Sequence, residues 1–402
     1  MTSALPNASS GFGGSSDSGG SLSPDELARY ARHLILPEVG IEGQTKLKSS
    51  SVLLIGLGGL GSPLAMYLAA AGIGRIGLVD ADLVDLSNLQ RQIIHTSERV
   101  GVAKVDSAAA AIRAINPHVE VASHREWFTR ENAFQLAGDY DLLIDGTDNF
   151  ATRYLVNDVS VLLGKPNCYG SIYRFEGQAT VFNYSGGPCY RCLFPEPPPA
   201  GLIPNCAEAG VLGVLPGLVG TIQATEAIKV LLQEETTLSG RLLLIDALEM
   251  RFRELEISRN PDCAICGKSP TIRELPEYEM VSCQTEQGSQ SNEPTHTSVP
   301  TLTVEELHAR KSRGEPFFLL DVREPFEQQI CQLGGHLIPL KQLDERLDEL
   351  PRDQPLVVHC KLGGRSETAV RLLRGHGFTN AINLEGGIIA WARKIDPAMK
   401  TY

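Results

Sequence analysis

Between Ser51 and Ala71 the chain runs from a short β-branched apolar stretch, Ser51 to Ile55, through Gly56-Leu57-Gly58-Gly59-Leu60-Gly61, into an apolar stretch of helical character, Pro63 to Ala71. A strand that turns through glycines straight into a helix aims the unpaired N–H groups of the helix start at whatever sits above the strand end. Gly56, Gly58 and Gly61 match the spacing G-x-G-x-x-G. That spacing serves a tight turn, close approach of backbone to phosphate, and close packing of helix on strand. Ile76 to Val79 reads as a second strand and ends at Asp80, where an acid can bind ribose hydroxyls.

The alternation continues. Lys104 to Ile115 is Ala-rich and helical, and Val119 to Ala122 and Leu142 to Ile144 are further strands. The pattern predicts an α/β fold, a Rossmann-like domain with a mostly parallel sheet and helices on both faces. Ser23-Pro24-Asp25-Glu26 predicts a capped helix start, with the helix running through Arg29 and Arg32. Residues 1–21 are rich in Ser and Gly, the composition of a disordered tail. Residues 273–299 are rich in Ser, Gln, Glu, Thr and Pro and read as a linker. Behind it a second α/β pattern begins: strands Phe317 to Leu320 and Leu356 to His359, then a helix Ser366 to Arg374. The expected organisation is a tail (1–21), a nucleotide-binding domain (22–272), a linker (273–299) and a smaller C-terminal α/β domain (300–402).

Charge and composition narrow the function. The net charge of −12 disfavours a nucleic acid as main partner. No apolar run is long enough to span a membrane, and the N-terminus lacks the basic start and apolar stretch of a secretory signal, so a cytoplasmic location is expected. In that setting nine cysteines read as metal ligands or reactive thiols. Cys189-x-x-Cys192 and Cys263-x-x-Cys266 are two short-spaced pairs, each able to supply two ligands to one tetrahedral Zn²⁺. A full set of four cysteines leaves no open position, which predicts a structural site.

The glycine loop alone would suit NAD. Asp82, Asn88, Arg91, Gln92 and Lys104 follow Asp80 closely, and this polar, cationic set suits a triphosphate better than a nicotinamide. Asp148 and Asn149 follow the strand Leu142 to Ile144 at its carboxyl end, where Asp148 can hold Mg²⁺. Cys206 lies in Pro204-Asn205-Cys206-Ala207-Glu208, behind a Pro-rich stretch. It reads either as an accessible reactive thiol or as a loop thiol that only packs. Cys360 stands between the strand Leu356 to His359 and the next helix, in Cys360-Lys361-Leu362-Gly363-Gly364-Arg365. Backbone N–H groups and a helix start favour its thiolate there, and Arg365 adds positive charge.

Several of these strings resemble the ThiF-like adenylyltransferases, the fold that activates ubiquitin-like proteins: Arg29-Tyr30-Ala31-Arg32-His33-Leu34, the Gly56 to Gly61 loop, Asp80-Ala81-Asp82, Ser87-Asn88-Leu89-Gln90-Arg91-Gln92, Thr147-Asp148-Asn149, Phe175-Glu176-Gly177-Gln178 and Pro188-Cys189-Tyr190-Arg191-Cys192. The Cys360 loop, Leu320-Asp321-Val322-Arg323-Glu324 and Gly386-Gly387-Ile388-Ile389-Ala390-Trp391 resemble single-domain rhodaneses. Phosphatase loops of similar wording are one residue longer between Cys and Arg, and an intact Cys360 disfavours a rhodanese kept only for binding. Ile330-Cys331-Gln332-Leu333-Gly334-Gly335-His336 departs from the usual rhodanese wording.

The resemblance implies ATP as the nucleotide, bound by Gly59, Asp80, Ser87, Asn88, Leu89, Gln90, Arg91, Lys104, Asp148 and Asn149. Arg32 would reach the triphosphate from the second subunit of a homodimer. It implies that the carboxylate of a ubiquitin-like sulfur-carrier protein ending in Gly-Gly attacks the α-phosphate. Cys360 would then deliver sulfur taken from a cysteine desulfurase or thiosulfate. Cys206 would sit where relatives carry a cysteine proposed to link to the carrier. The rival class, a non-catalytic scaffold for a ubiquitin-like protein, is disfavoured by the filled positions Arg91, Lys104, Asp148 and Cys360.

Overall fold

The computed structural model describes residues 21–197, 210–278 and 299–401. Residues 1–20 of the expected tail, Cys206 and most of the expected linker lie outside the described residues. The described residues fall into two compact units, 21–197 with 210–278, and 299–401.

The first unit is built on an eight-stranded sheet among the described residues. In chain order its strands are β1 (Ser51–Ile55), β2 (Arg75–Val79), β3 (Glu120–His124), β4 (Leu142–Asp145), β5 (Asn167–Tyr173), β6 (Glu176–Phe182), β7 (Arg241–Asp246) and β8 (Arg251–Glu256). Their spatial order is β3-β2-β1-β4-β5-β6-β7-β8. The first five are parallel, as the strand–helix alternation predicts. β6, β7 and β8 extend the sheet antiparallel, an addition that the alternation does not reveal. The order reverses between β1 and β4, so a crevice opens at the carboxyl ends of those two strands. Val52, Leu53, Leu54 and Ile55 are all buried, as expected of a parallel strand covered on both faces.

Two cores lie on the two faces of the sheet. One gathers Leu54, Ile76 and Leu78 with Leu64 and Leu68 of the helix Gly61–Ala71, Ala108 and Ile112 of the helix Lys104–Ile115, and Val219 and Ala227 of the helix Leu215–Leu232. The other gathers Leu53, Ile55 and Leu143 with Leu155 and Val159 of the helix Phe150–Leu162. Leu275 is buried in this second core, and Tyr278 donates its hydroxyl to Asp158. The chain therefore stays on this unit through Tyr278, past the boundary expected at 272.

Near the N-terminus the helix Pro24–Arg29 has its capping box, Ser23 with Glu26. The expected run through Arg32 is broken at Tyr30, where a new short helix, Ala31–Leu34, begins. Tyr30 is 4% exposed; it accepts from Asn116 at 2.8 Å and packs under Gly72, so burial of its ring outweighs helix continuity.

The second unit is a five-stranded, all-parallel sheet among the described residues: β9 (Thr301–Leu302), β10 (Phe318–Asp321), β11 (His336–Leu337), β12 (Leu356–His359) and β13 (Ala381–Leu384), in the order β11-β10-β12-β13-β9. Its central strand β12 is buried throughout and points its carboxyl end into the Cys360 loop.

Candidate functional site

The glycine loop is shaped by contacts that only glycine permits. Gly56 has φ +91°, and a Cβ there would lie 2.9 Å from the Gly146 carbonyl oxygen. A Cβ at Gly61 would lie 2.1 Å from the Gly56 oxygen. The helix Gly61–Ala71 can therefore start hard against the end of β1, two residues earlier than its apolar pattern suggests. Gly146, just past β4, brings the turn carrying Thr147, Asp148 and Asn149 alongside the loop.

Asp80 directly follows β2 and is buried. It accepts from Leu57 N–H at 2.8 Å and from Asp82 N–H at 2.9 Å. Burial pushes its carboxyl above the usual range, against the pull of Lys104 and the two N–H groups. Asp82 pairs with Lys104 at 2.7 Å, and the Lys104 side chain is only 7% exposed, which argues against a solvated surface charge. Arg91 donates to the Ser87 carbonyl at 3.0 Å. The Gly59 Cα faces Pro216 and the Arg91 stem, and Gly58 faces the Gln92 amide. Ser87 and Asn88 lie in a turn capped by Asp85, Leu89 follows it, and Gln90 packs on Gly213. Asn149 caps the helix Phe150–Leu162 through Thr152 N–H at 2.8 Å, and Asp148 beside it is exposed. The structure thus brings the Gly56–Gly61 loop, the Ser87–Gln92 turn and the Gly146–Asn149 turn to one crevice. Arg32 stands exposed on the short helix Ala31–Leu34, and no contact joins it to these loops among the described residues.

Three residues that shape this crevice escape the motif reading. Asp145, fully buried at the end of β4, accepts from Thr147 N–H at 2.9 Å and Thr147 Oγ1 at 2.6 Å, and so curls the chain toward Asp148. Arg153 stands 3.9 Å from Asp145 and lies over the rings of Phe150 and Tyr169. His95 links the glycine loop to the helix Lys104–Ile115. Asp145 acts on Thr147 two residues on, a local turn that the string Asp145-Gly146-Thr147 could have signalled, whereas His95 and Arg153 act through Leu57, Ser107 and Tyr169, farther along the chain, and leave no local signal.

The two cysteine pairs meet. Cys189 caps the short helix Tyr190–Leu193, which places Cys192 one turn on. Cys263 and Cys266 lie in a turn closed by Gly267 N–H to Cys263 C=O at 2.9 Å. The four sulfurs lie within 4.8 Å of one another, with separations of 3.9, 3.7 and 3.3 Å for Cys189–Cys192, Cys189–Cys263 and Cys192–Cys266. Four thiolates around a zinc at ~2.3 Å have edges of about 3.8 Å. The donor set therefore fits a tetrahedral, closed zinc site. Hydrogen bonding with its neighbours drives the Cys189 thiol up and holds Cys192 down, so the four sulfurs share protons that a bound dication would displace. Elemental analysis should find one zinc per chain. Cys266→Ser should lower the thermal midpoint by several degrees, with metal content reduced in parallel; a metal-free protein of unchanged stability would contradict the assignment.

In the second unit Cys360 directly follows β12 and is 1% exposed. Its sulfur accepts from Gly363 N–H at 3.1 Å and from the Ser366 hydroxyl at 3.4 Å. Gly363 has φ +106° and caps the helix Gly364–Gly375. The loop thus curls its N–H groups onto the sulfur, where they stabilise an anion. Arg365 was expected to add charge at the thiol. It is held by both oxygens of the buried Glu327 at 2.6 and 2.7 Å, which partly offset its charge. Arg323 forks onto Asp321 and donates to the Cys331 carbonyl at 2.9 Å, which gives Cys331 a place in the wall of this unit. His359 is completely buried, and neither ring nitrogen has a hydrogen-bond partner. Burial lowers its pKa from 6.5 to about 4. The unfolded chain therefore takes up a proton between these values that the folded domain refuses, and stability falls as pH drops through that window. Denaturant unfolding at about pH 5 and about pH 7 should show this loss, and His359→Leu should reduce it. An undiminished loss in that variant would place the acid sensitivity elsewhere.

Comparison with known proteins agrees with both halves. The model of the ThiF family matches residues 30–265, and that of the rhodanese-like domain matches residues 303–394. The chain is 47% identical over 392 residues to a Mycobacterium tuberculosis protein named "Probable adenylyltransferase/sulfurtransferase MoeZ", covering 95% of this chain and 96% of that protein. It is 44% identical over 409 residues to the Sus scrofa adenylyltransferase and sulfurtransferase MOCS3, covering 95% of this chain and 89% of the relative. A crystal structure of E. coli MccB with AMPCPP and MccA shares the fold, with a TM-score of 0.54 over 60% of this chain and 74% of that one, at 22% identity. Among the described residues, no helix is long and apolar enough to cross a membrane. The chain belongs to the ThiF family and carries a rhodanese-like domain behind its ThiF domain.

Proposed function

We propose that this protein uses ATP to adenylate the C-terminal glycine of a ubiquitin-like sulfur-carrier protein and then supplies the sulfur that converts it to a thiocarboxylate. The observation that carries the reading is the pairing, in one chain, of the glycine-loop crevice with a Cys360 sulfur cradled by N–H and O–H donors. Matches to the ThiF family and to the rhodanese-like domain support the same pairing.

In the first reaction the carrier carboxylate attacks the α-phosphate, and pyrophosphate leaves. The glycine loop receives phosphate on its N–H groups, Asp80 takes the ribose, and Arg91 and Lys104 offset charge on the departing pyrophosphate. Ser87, Asn88, Leu89, Gln90 and Asn149 line the nucleotide. Asp148 is the exposed acid suited to Mg²⁺, which when bound would neutralise phosphate charge. Arg32 would serve the second subunit of a homodimer. Catalysis of this kind is mostly positioning and charge stabilisation.

In the second reaction Cys360 carries a persulfide drawn from thiosulfate or a cysteine desulfurase. Its terminal sulfur attacks the acyl carbon, AMP leaves, and the carrier is joined to Cys360 as an acyl disulfide. A thiolate, for which Cys206 is the candidate, then attacks the Cys360 sulfur. The carrier thiocarboxylate is released and a disulfide remains for a cellular thiol to reduce. Zn²⁺ at Cys189, Cys192, Cys263 and Cys266 would be structural. The proposed span of the adenylating domain is 22–272, with the start of the linker through Tyr278 packed on it, that of the sulfurtransferase domain is 300–402, and the setting is the cytoplasm.

Cys360→Ala should keep carrier-dependent ATP–pyrophosphate exchange and lose sulfur transfer from thiosulfate. Asp148→Ala should do the reverse, with exchange reduced by roughly a hundredfold or more. Exchange that does not depend on any Gly-Gly carrier, or sulfur transfer that survives loss of Cys360, would overturn the scheme.

A further inference from the structure

Leu57 lies at the centre of the glycine loop, and both of its peptide groups are held. Its N–H donates to Asp80 at 2.8 Å, and its carbonyl lies 3.2 Å from His95 Nε2. A carbonyl oxygen only accepts, so Nε2 carries the proton. Nδ1 must then accept, and its partner at 2.9 Å is the hydroxyl of the buried Ser107. Burial takes the His95 pKa down to about 4, which keeps the ring neutral and this tautomer in place at physiological pH.

The consequence lies in the next peptide bond. In a planar trans peptide the C=O and N–H point in opposite directions, so a Leu57 carbonyl turned toward His95 turns the Gly58 N–H away from it. Among the described residues, the N–H groups of Gly58, Gly59 and Leu60 donate to no protein acceptor, and they lead directly into the helix Gly61–Ala71. Three successive unpaired N–H groups before a helix form an anion cradle. Gly58 has no Cβ to oppose rotation of this peptide. Rotated, the peptide would present a carbonyl oxygen to the phosphates in place of a donor.

We propose that His95 is a positioning residue for nucleotide binding: by holding the Leu57 carbonyl it aims the Gly58 N–H at the phosphates of ATP. The inference rests on the reading of the glycine loop as the ATP site. His95 also ties that loop to the helix Lys104–Ile115, so the cradle and the Lys104 cation share one support.

The test uses the full chain with Mg²⁺ and compares His95→Gln, whose amide N–H can take the place of Nε2–H, with His95→Leu, which removes the donor. The readouts are the ATP dissociation constant by calorimetry, KM for ATP and kcat in carrier-dependent pyrophosphate exchange, and the thermal midpoint. His95→Leu should weaken ATP binding and raise KM about tenfold, the effect of one lost hydrogen bond, with kcat little changed. His95→Gln should stay within about threefold of the wild type. His95→Asn, polar but too short to reach the Leu57 carbonyl, is expected to behave like His95→Leu and stands in should the leucine variant not fold. Equal losses in the Gln variant and in the variant lacking the donor would overturn the inference, as would unchanged ATP affinity in the latter. A wild-type protein that binds no ATP would overturn the nucleotide reading itself, and the inference with it.

Discussion

The Gly56 carbonyl is wedged between two other glycines. A Cβ at Gly61 would approach its oxygen to 2.1 Å and one at Gly146 to 2.7 Å, distances that no real side chain tolerates. This contact determines what the crevice can be. It lets the helix Gly61–Ala71 begin directly above the end of β1, and it lets the turn after β4 lie against the loop from the other side. Any side chain at 61 or 146 would separate helix from sheet or push the Asp148 turn outward. The geometry of the crevice is therefore set by backbone packing at a strand-order reversal, and the charged side chains are arranged around it.

The two units share one structural device. In each, a buried parallel strand ends in a glycine-containing loop that feeds a helix, and a buried neutral histidine lies close by, His95 in one and His359 in the other. They differ in what the loop's N–H groups already hold. Gly58, Gly59 and Leu60 leave theirs unpaired within the described chain, which suits an anion brought from outside. Gly363 donates to the Cys360 sulfur, an acceptor that the chain supplies itself. The pairing of Arg365 with Glu327 fits this division, because dipoles at 3.1 and 3.4 Å support the sulfur while the guanidinium charge is met by a carboxylate.

The parts legible in the sequence are those whose physics is local. Glycine spacing, strand–helix alternation and paired cysteines each occupy a few consecutive residues, and the parallel half of the sheet and the four-sulfur cluster follow from them. The unread parts depend on distant partners. β5–β6 and β7–β8 are local hairpins, but β6 pairs with β7 across about sixty residues, so nothing local shows that the second hairpin joins this sheet. The helix break at Tyr30 is decided by Asn116 and Gly72. Glu327 meets Arg365 across 38 residues, and His95 acts on a backbone carbonyl at Leu57, which no side-chain pattern could announce.

The cysteine cluster is anchored to the far half of the helix that starts beside Asp148. Arg191, between Cys189 and Cys192, forks onto the buried Asp158, and Tyr190 N–H donates to Asn157 at 2.7 Å. Both acceptors lie in the second half of the helix Phe150–Leu162, whose N-cap is Asn149. At ~1.5 Å per residue, Asn149 and Asp158 are about 13 Å apart along the axis. A metal held by four thiolates at that remove has no open coordination position and no route to the acid at Asp148. What it can do is hold the segment from Arg259 to Gly267 against the helix that carries the Asn149 cap. The free energy of metal binding would then serve the fold of this unit, and the N-terminal end of the helix keeps its geometry from Asn149, Asp145 and the glycine contact beneath them.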